Sequence, residues 1–220
     1  MNLELQKRII TSILLLTLSV LMFFYNYILI LSLIMIIIIC WIEFYALISK
    51  ILLKNNFKNK TLRFLYKAMS LLYLSILGYL IIITKTKDSE LFIFIIYAIS
   101  VSIMTDIGGL IFGKLFKGRK LTKISPKKTI SGSIGSFIFS LSLIPLFIDY
   151  LIDHDFVSLI LITALISFVS QIGDLIISRL KRAAKVKDTS DLLPGHGGVL
   201  DRIDGIIFSI PIGFILLIYF

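Results

Sequence analysis

The side chains best suited to catalysis crowd into one polar stretch, Ser178 to Asp204. It contains Pro194-Gly195-His196-Gly197-Gly198 and ends in Asp201-Arg202-Ile203-Asp204. A solvated basic loop would explain the lysines and arginines. It would not explain three glycines around a histidine directly before an apolar run. Glycines expose backbone N–H groups, which can cradle phosphate oxygens. Asp201 and Asp204 are three residues apart, so on a helix they share a face. Mg²⁺ takes a few carboxylates plus substrate phosphates. The stretch therefore predicts a phosphate–metal site.

Three further acids lie well inside apolar runs: Glu43, Asp106 and Asp174. A charge at the bilayer centre costs about 2.5–3.5 kcal/mol on insertion scales. Each of these acids lies roughly 4–7 residues from one end of its run, about 6–10 Å along a helix. Pairing with a nearby Lys or Arg is the plain structural reading, and it suits Glu43 best. Asp106 precedes Gly108, Gly109 and Gly113, and Asp174 follows Gly173. Those glycines allow close approach of either a neighbouring helix or a ligand.

The elements that must position these residues are apolar helices. The chain has 220 residues, 58% hydrophobic and 16% charged. Its mean hydropathy is +1.00. Soluble domains run about 45–50% apolar and about 25% charged. The expected fold is therefore all-α, a polytopic transmembrane helical bundle. Seven spans are predicted, at about 9–24, 27–49, 64–84, 91–112, 132–152, 156–178 and 205–220. Tyr25-Asn26-Tyr27 is the expected turn between the first two. Lys7 and Arg8 before Ile9–Phe24 resemble a signal peptide, but no small-residue cleavage site follows, so this segment reads as a retained helix.

With a cytoplasmic N-terminus, 21 of the 23 basic residues fall on the inner side. They include Lys54 before the third span and Lys123 and Lys127 after the fourth. Only Lys85 and Lys87 fall outside, and the outer loop with Asp149, Asp153 and Asp155 has no basic residue. This asymmetry sets the orientation. The net charge of +10 thus reports topology, and no nucleic-acid partner is expected. Cys40 is the only cysteine, so no intrachain disulfide forms. The chain divides into N-terminal transmembrane helices (1–100) and a catalytic transmembrane region with two inner loops (101–220).

Ser178, Lys181, Arg182, Lys187, Asp188, Pro194 to Gly198, Asp201, Arg202 and Asp204 closely resemble the signature of the phosphatidate cytidylyltransferases, or CDP-diacylglycerol synthases. Asp106 through Leu121 is similar to an upstream family stretch. Ser125-Pro126-Lys127-Lys128-Thr129, with Gly132 and Gly135, resembles its Ser-Pro-x-Lys-Thr segment. Gln171-Ile172-Gly173-Asp174-Leu175 matches the Gly-Asp-Leu before the signature. The resemblance covers roughly 101–215. Gly109-Leu110, Ile130, Ile177 and Ala183 depart from the pattern.

The resemblance implies transfer of a cytidylyl group from CTP to phosphatidic acid, giving CDP-diacylglycerol and pyrophosphate in phospholipid biosynthesis. It implies Mg²⁺ on Asp174 and Asp201, with room for a second metal ion, and Asp106 and Asp204 as secondary candidates. Lys128, Lys181, Arg182, Lys187 and Arg202 would bind phosphates, and His196 would bind a phosphate or position the leaving group. Asp174, Asp201, Lys181 and His196 form the expected catalytic set. Ser125, Thr129, Ser178, Asp188, Gly197 and Gly198 complete the expected substrate contacts. Membrane lipids and a homodimer partner are further implications, as is a bacterial inner membrane with the site facing the cytoplasm. Two other readings compete: a CTP-dependent transferase or kinase acting on another lipid, and a transporter or channel. A transporter usually shows repeat symmetry and a midplane site, and neither is evident in the sequence.

Overall fold

A computed structural model describes residues 3–53, 56–122, 125, 128–151 and 154–220, with side chains from residue 5 onward. Lys54, Lys123, Pro126, Lys127 and Asp153 lie outside the described residues. Among the described residues the chain forms helices α1 (Leu3–Phe24), α2 (Asn26–Ile51), α3 (Phe57–Lys87), α4 (Ser89–Phe116), α5 (Ile130–Leu141), α6 (Ile144–Phe147), α7 (Phe156–Ala183), α8 (Leu200–Ile203) and α9 (Ile206–Tyr219). A 3₁₀ turn, Ile148–Tyr150, follows α6. No strand occurs among the described residues, only two isolated β-bridges.

Among the described residues, seven helical segments are long and apolar enough to cross a membrane. Each matches one expected span. The protein is thus a helical membrane protein. The differences lie at the ends. The turn expected over three residues narrows to Tyr25, whose extended backbone (φ −118°, ψ 110°) separates α1 from α2. The basic stretch before the third span is helical from Phe57, so Lys58, Lys60, Arg63 and Lys67 ride on α3. Lys and Arg are good helix formers, and Lys67 lies over the rings of Trp41 and Tyr45, 4.8 and 4.7 Å from their centroids.

The chain forms two compact units. The first comprises Met1–Lys87 and Leu180–Ile203, the second Asp88–Arg179 and Asp204–Phe220. In the first, α2 packs on α1, α3 and α8. In the second, α4 packs on α5 and α9. The close approach of α4 and α5 depends on absent side chains: a Cβ at Gly108 would lie 2.4 Å from the Gly135 carbonyl oxygen. The glycines around Asp106 are therefore accounted for by helix packing. The core of this unit gathers Tyr97, Val101, Leu159, Ile166 and Leu217. Buried hydroxyls tie α4 to α7: Tyr97 to Thr163 at 2.5 Å, Ser102 to Ser170 at 2.7 Å, and Thr105 to Ser167 at 2.8 Å.

Helix ends follow local chemistry. Asp155 accepts from the Ser158 hydroxyl and from the N–H groups of Val157 and Ser158, capping α7. These hydrogen bonds, the Ser158 hydroxyl first, hold its carboxyl below the usual value. At the other end of α7, Val186 N–H reaches Lys181 O and Lys185 N–H reaches Arg182 O, with Lys185 left-handed at φ 57°. This Schellman-type stop turns the chain into the polar stretch.

Candidate active site

In the first unit the site is built on Asp201, in α8. Its side chain is only 4% exposed. Lys181, in the last turn of α7, donates to Oδ1 at 2.6 Å. Oδ2 accepts from Thr189 N at 2.8 Å, Thr189 Oγ1 at 3.0 Å and Gly198 N at 3.0 Å. One carboxylate thus holds the end of α7, the middle of the loop and the start of α8.

A second carboxylate, from outside the signature stretch, reinforces the same loop. Glu43 of α2 is 4% exposed. Its oxygens accept from Thr189 Oγ1 (2.9 Å), Ser190 Oγ (2.5 Å), Val199 N (3.1 Å) and Leu200 N (2.8 Å). Among the described residues the partners of Glu43 are neutral donors, where pairing with a Lys or Arg was the plain structural reading. Two of them are the first free N–H groups of α8, where a negative charge is favoured. Gly198 leaves the room: a Cβ there would lie 2.7 Å from both Glu43 oxygens and 1.9 Å from Thr189 Oγ1. The available signal was an acid inside an apolar run, together with the adjacent hydroxyls of Thr189 and Ser190.

The Pro194–Gly198 segment is a tight turn. His196 N donates to Leu193 O at 2.8 Å and Gly197 N to the same oxygen at 3.1 Å. Gly195 sits at φ 76° after Pro194, the arrangement of a type II turn. Gly197 is also left-handed, at φ 81°. The glycine N–H groups expected to cradle phosphate are thus engaged within the fold: Gly197 on Leu193, and Gly198 on Asp201. Side-chain charge gathers beside the same turn. Lys187, Asp188, His196, Gly197 and Arg202 line one cavity of about 660 Å³. Arg202 Nε also donates to His196 O at 2.9 Å. Arg182 is exposed and donates to Val186 O at 3.2 Å.

In the second unit Asp174 of α7 is ion-paired with Lys128, and Ser178, one turn on, donates to its Oδ1 at 3.1 Å. Both charged side chains are partly open, Asp174 at 22% and Lys128 at 27%. Lys128 is held by a short bridge, in which Leu121 N donates to Lys128 O at 2.8 Å. Ser125 O accepts from Lys128 N at 3.0 Å. Thr129 caps α5 by accepting from Gly132 N at 3.1 Å, so its hydroxyl is structural. Asp106 is exposed on α4. Asp204 is buried in the turn after α8, where it accepts from Gly205 N at 2.9 Å. Because α8 ends at Ile203, it does not carry Asp204 on a helical face shared with Asp201.

An ionised carboxylate has about four lone-pair positions. Among the described residues Asp174 uses two of them, on Lys128 and Ser178. Asp201 uses four. Carboxylate oxygens suit Mg²⁺. Asp174 fits as a ligand, whereas Asp201 is the more heavily engaged of the two, with Lys181 on Oδ1 and three donors on Oδ2. Among the described residues no group of three or more His, Cys, Asp or Glu is placed to hold an ion.

The chain matches the cytidylyltransferase family over residues 2–220. It is 39% identical over 179 residues to a phosphatidate cytidylyltransferase of Staphylococcus haemolyticus, covering 80% of this chain and 66% of that protein. Against the phosphatidate cytidylyltransferase of Staphylococcus aureus (strain N315) the identity is 38%, with the same coverage of each. Against that of Bacillus subtilis (strain 168) it is 36% over 172 residues, covering 77% of this chain and 63% of the relative. The chain spans just under two thirds of the length of these relatives. With the match extending through α1 to α9, this chain belongs to the cytidylyltransferase family.

Proposed function

We propose that this protein transfers the cytidylyl group of CTP to phosphatidic acid, forming CDP-diacylglycerol and releasing pyrophosphate. The observation that carries the reading is the cavity at the Pro194–Gly198 turn, lined by Lys187, His196 and Arg202 within a stretch that resembles the family signature. Family membership and the names of the relatives support it.

A phosphate oxygen of the lipid attacks the α-phosphorus of CTP. A new P–O bond forms as the bond to the β-phosphate oxygen breaks, and pyrophosphate leaves with the electron pair. The lipid phosphate is already ionised, so no general base is required. The protein must align two polyanions and offset their charge. In the first unit Lys187 and Arg202 face the cavity, with Arg202 anchored on the His196 carbonyl. Lys181 is held at Asp201 as a charge that substrate phosphate can draw away. In the second unit Lys128 is the corresponding charge, set against Asp174. A magnesium ion, when bound, would offset charge on the triphosphate, and Asp174 would hold it. Placement in a bacterial inner membrane, with these residues on the cytoplasmic side, is part of the same reading; the bacterial relatives support the membrane and the charge asymmetry supports the orientation. Bilayer lipids and a second copy of the chain are its further partners.

The test is an assay with labelled CTP on the purified protein in phosphatidic acid-containing vesicles. Lipid-linked CMP and stoichiometric pyrophosphate are expected. Turnover only with other lipid acceptors, or solute flux without nucleotide turnover, would overturn the reading.

A further inference from the structure

The cavity beside the Pro194–Gly198 turn has a second wall that the family motifs do not include. Lys7 and Arg8 of α1 line it. They are brought there by specific contacts. Thr11, buried and one turn along α1, donates to Pro194 O at 3.0 Å. Ser12 Oγ lies 3.3 Å from His196 Nε2. The aliphatic stem of Arg8 covers Gly195 so closely that a Cβ there would lie 2.7 Å from Arg8 Cγ. Gly195 therefore serves both the turn, through its positive φ, and the seating of α1.

The charge of the cavity points to its ligand. Lys7, Arg8, Lys187 and Arg202 bring four cations, against the two carboxylates of Asp188 and Asp191. A volume of about 660 Å³ is in the usual range for small-molecule pockets. An anion with several oxygens answers this excess of positive charge.

We propose that Lys7 and Arg8 complete a subsite for a phosphate-rich anion at this cavity, with α1 as a working wall of the site. The anion is the polyphosphate of a nucleotide or the phosphomonoester of a lipid headgroup. The choice of these two sources rests on the function proposed above; the binding itself does not.

The experiment uses the full chain in nanodiscs. Binding of inorganic pyrophosphate, of CTP and of phosphatidic acid (titrated against phosphatidylcholine-only discs) is measured for the wild type, for K7Q/R8Q and for K58Q, which removes an exposed lysine of α3 outside the cavity. Thermal unfolding confirms that each variant folds. K7Q/R8Q is expected to weaken at least one arm about tenfold or more, with R8K recovering part of the loss and K58Q unchanged. A loss in the pyrophosphate and CTP arms assigns the subsite to the polyphosphate, and a loss in the lipid arm assigns it to the headgroup. Unchanged binding in all arms, or an equal loss in K58Q, overturns the proposal even if CDP-diacylglycerol synthesis is intact. Wild-type binding that is sensitive to K7Q/R8Q, without any cytidylyl transfer, would overturn the proposed function and leave the subsite standing.

Discussion

Asp174 and Asp201 look alike as a pair of motif carboxylates, each one associated with a lysine. Their surroundings differ. Asp201 is 4% exposed, and both its oxygens are engaged, Oδ1 by Lys181 and Oδ2 by Thr189 and Gly198. Asp174 is 22% exposed and, among the described residues, holds Lys128 and Ser178. Glu43 stands beside Asp201 on the loop, sharing the Thr189 hydroxyl. The region around Asp201 is thus a closed polar network, and the one around Asp174 is open. A closed network fixes a loop, whereas an open carboxylate retains capacity for a ligand. Equal motif residues therefore need not share a role.

The sharpest way to break this contrast is to remove charge from the closed network. Asp201→Asn leaves Lys181 buried without its counter-ion. Breaking a buried pair on one side costs about 3–5 kcal/mol. The variant should unfold much more readily in thermal or denaturant scans and lose turnover with its structure. Replacing Lys181 by Met as well should recover stability, since an uncompensated charge is the main penalty, while turnover stays lost. If Asp201→Asn is as stable as the wild type, Asp201 is not the structural hub described here.

Glu43→Gln is the next largest change. The amide keeps one acceptor but turns its NH₂ toward groups that are themselves donors. A loss of about 1–3 kcal/mol follows from leaving such groups unsatisfied. It should appear as faster proteolysis within residues 189–200, with the spans intact. Unaltered cleavage would remove Glu43 from the network.

The role of Glu43 also shows what could be read in advance. All seven spans were legible, because hydropathy is a local property summed over about 20 residues. So were the chemistry-bearing stretch and its basic charge. The helical start of α3 was not, since Lys58, Lys60 and Arg63 lower hydropathy without lowering helix propensity. The partners of Glu43 lie 146 to 157 residues away in sequence, and Pro194 lies 183 residues from Thr11. No spacing rule reaches that far. Nor could sequence show that the Gly197 and Gly198 N–H groups are committed internally, because that depends on how the turn closes.

The smallest effect on stability is expected at the open carboxylate, and it separates the two regions most cleanly. Lys128 and Asp174 are each more than a fifth exposed, so water screens the pair and its removal costs about 0–1 kcal/mol. Asp174→Asn should therefore unfold near the wild-type midpoint. Its turnover should still fall by about 100-fold or more, as when one electrostatic group is removed from a catalytic site, and excess Mg²⁺ should not restore it. Asp201→Asn would lose both properties together, whereas Asp174→Asn would lose activity alone. If Asp174→Asn instead keeps Mg²⁺-dependent turnover at the wild-type level, its spare lone pairs bind nothing that matters. The metal would then have to be sought at Asp201, with Lys181 displaced.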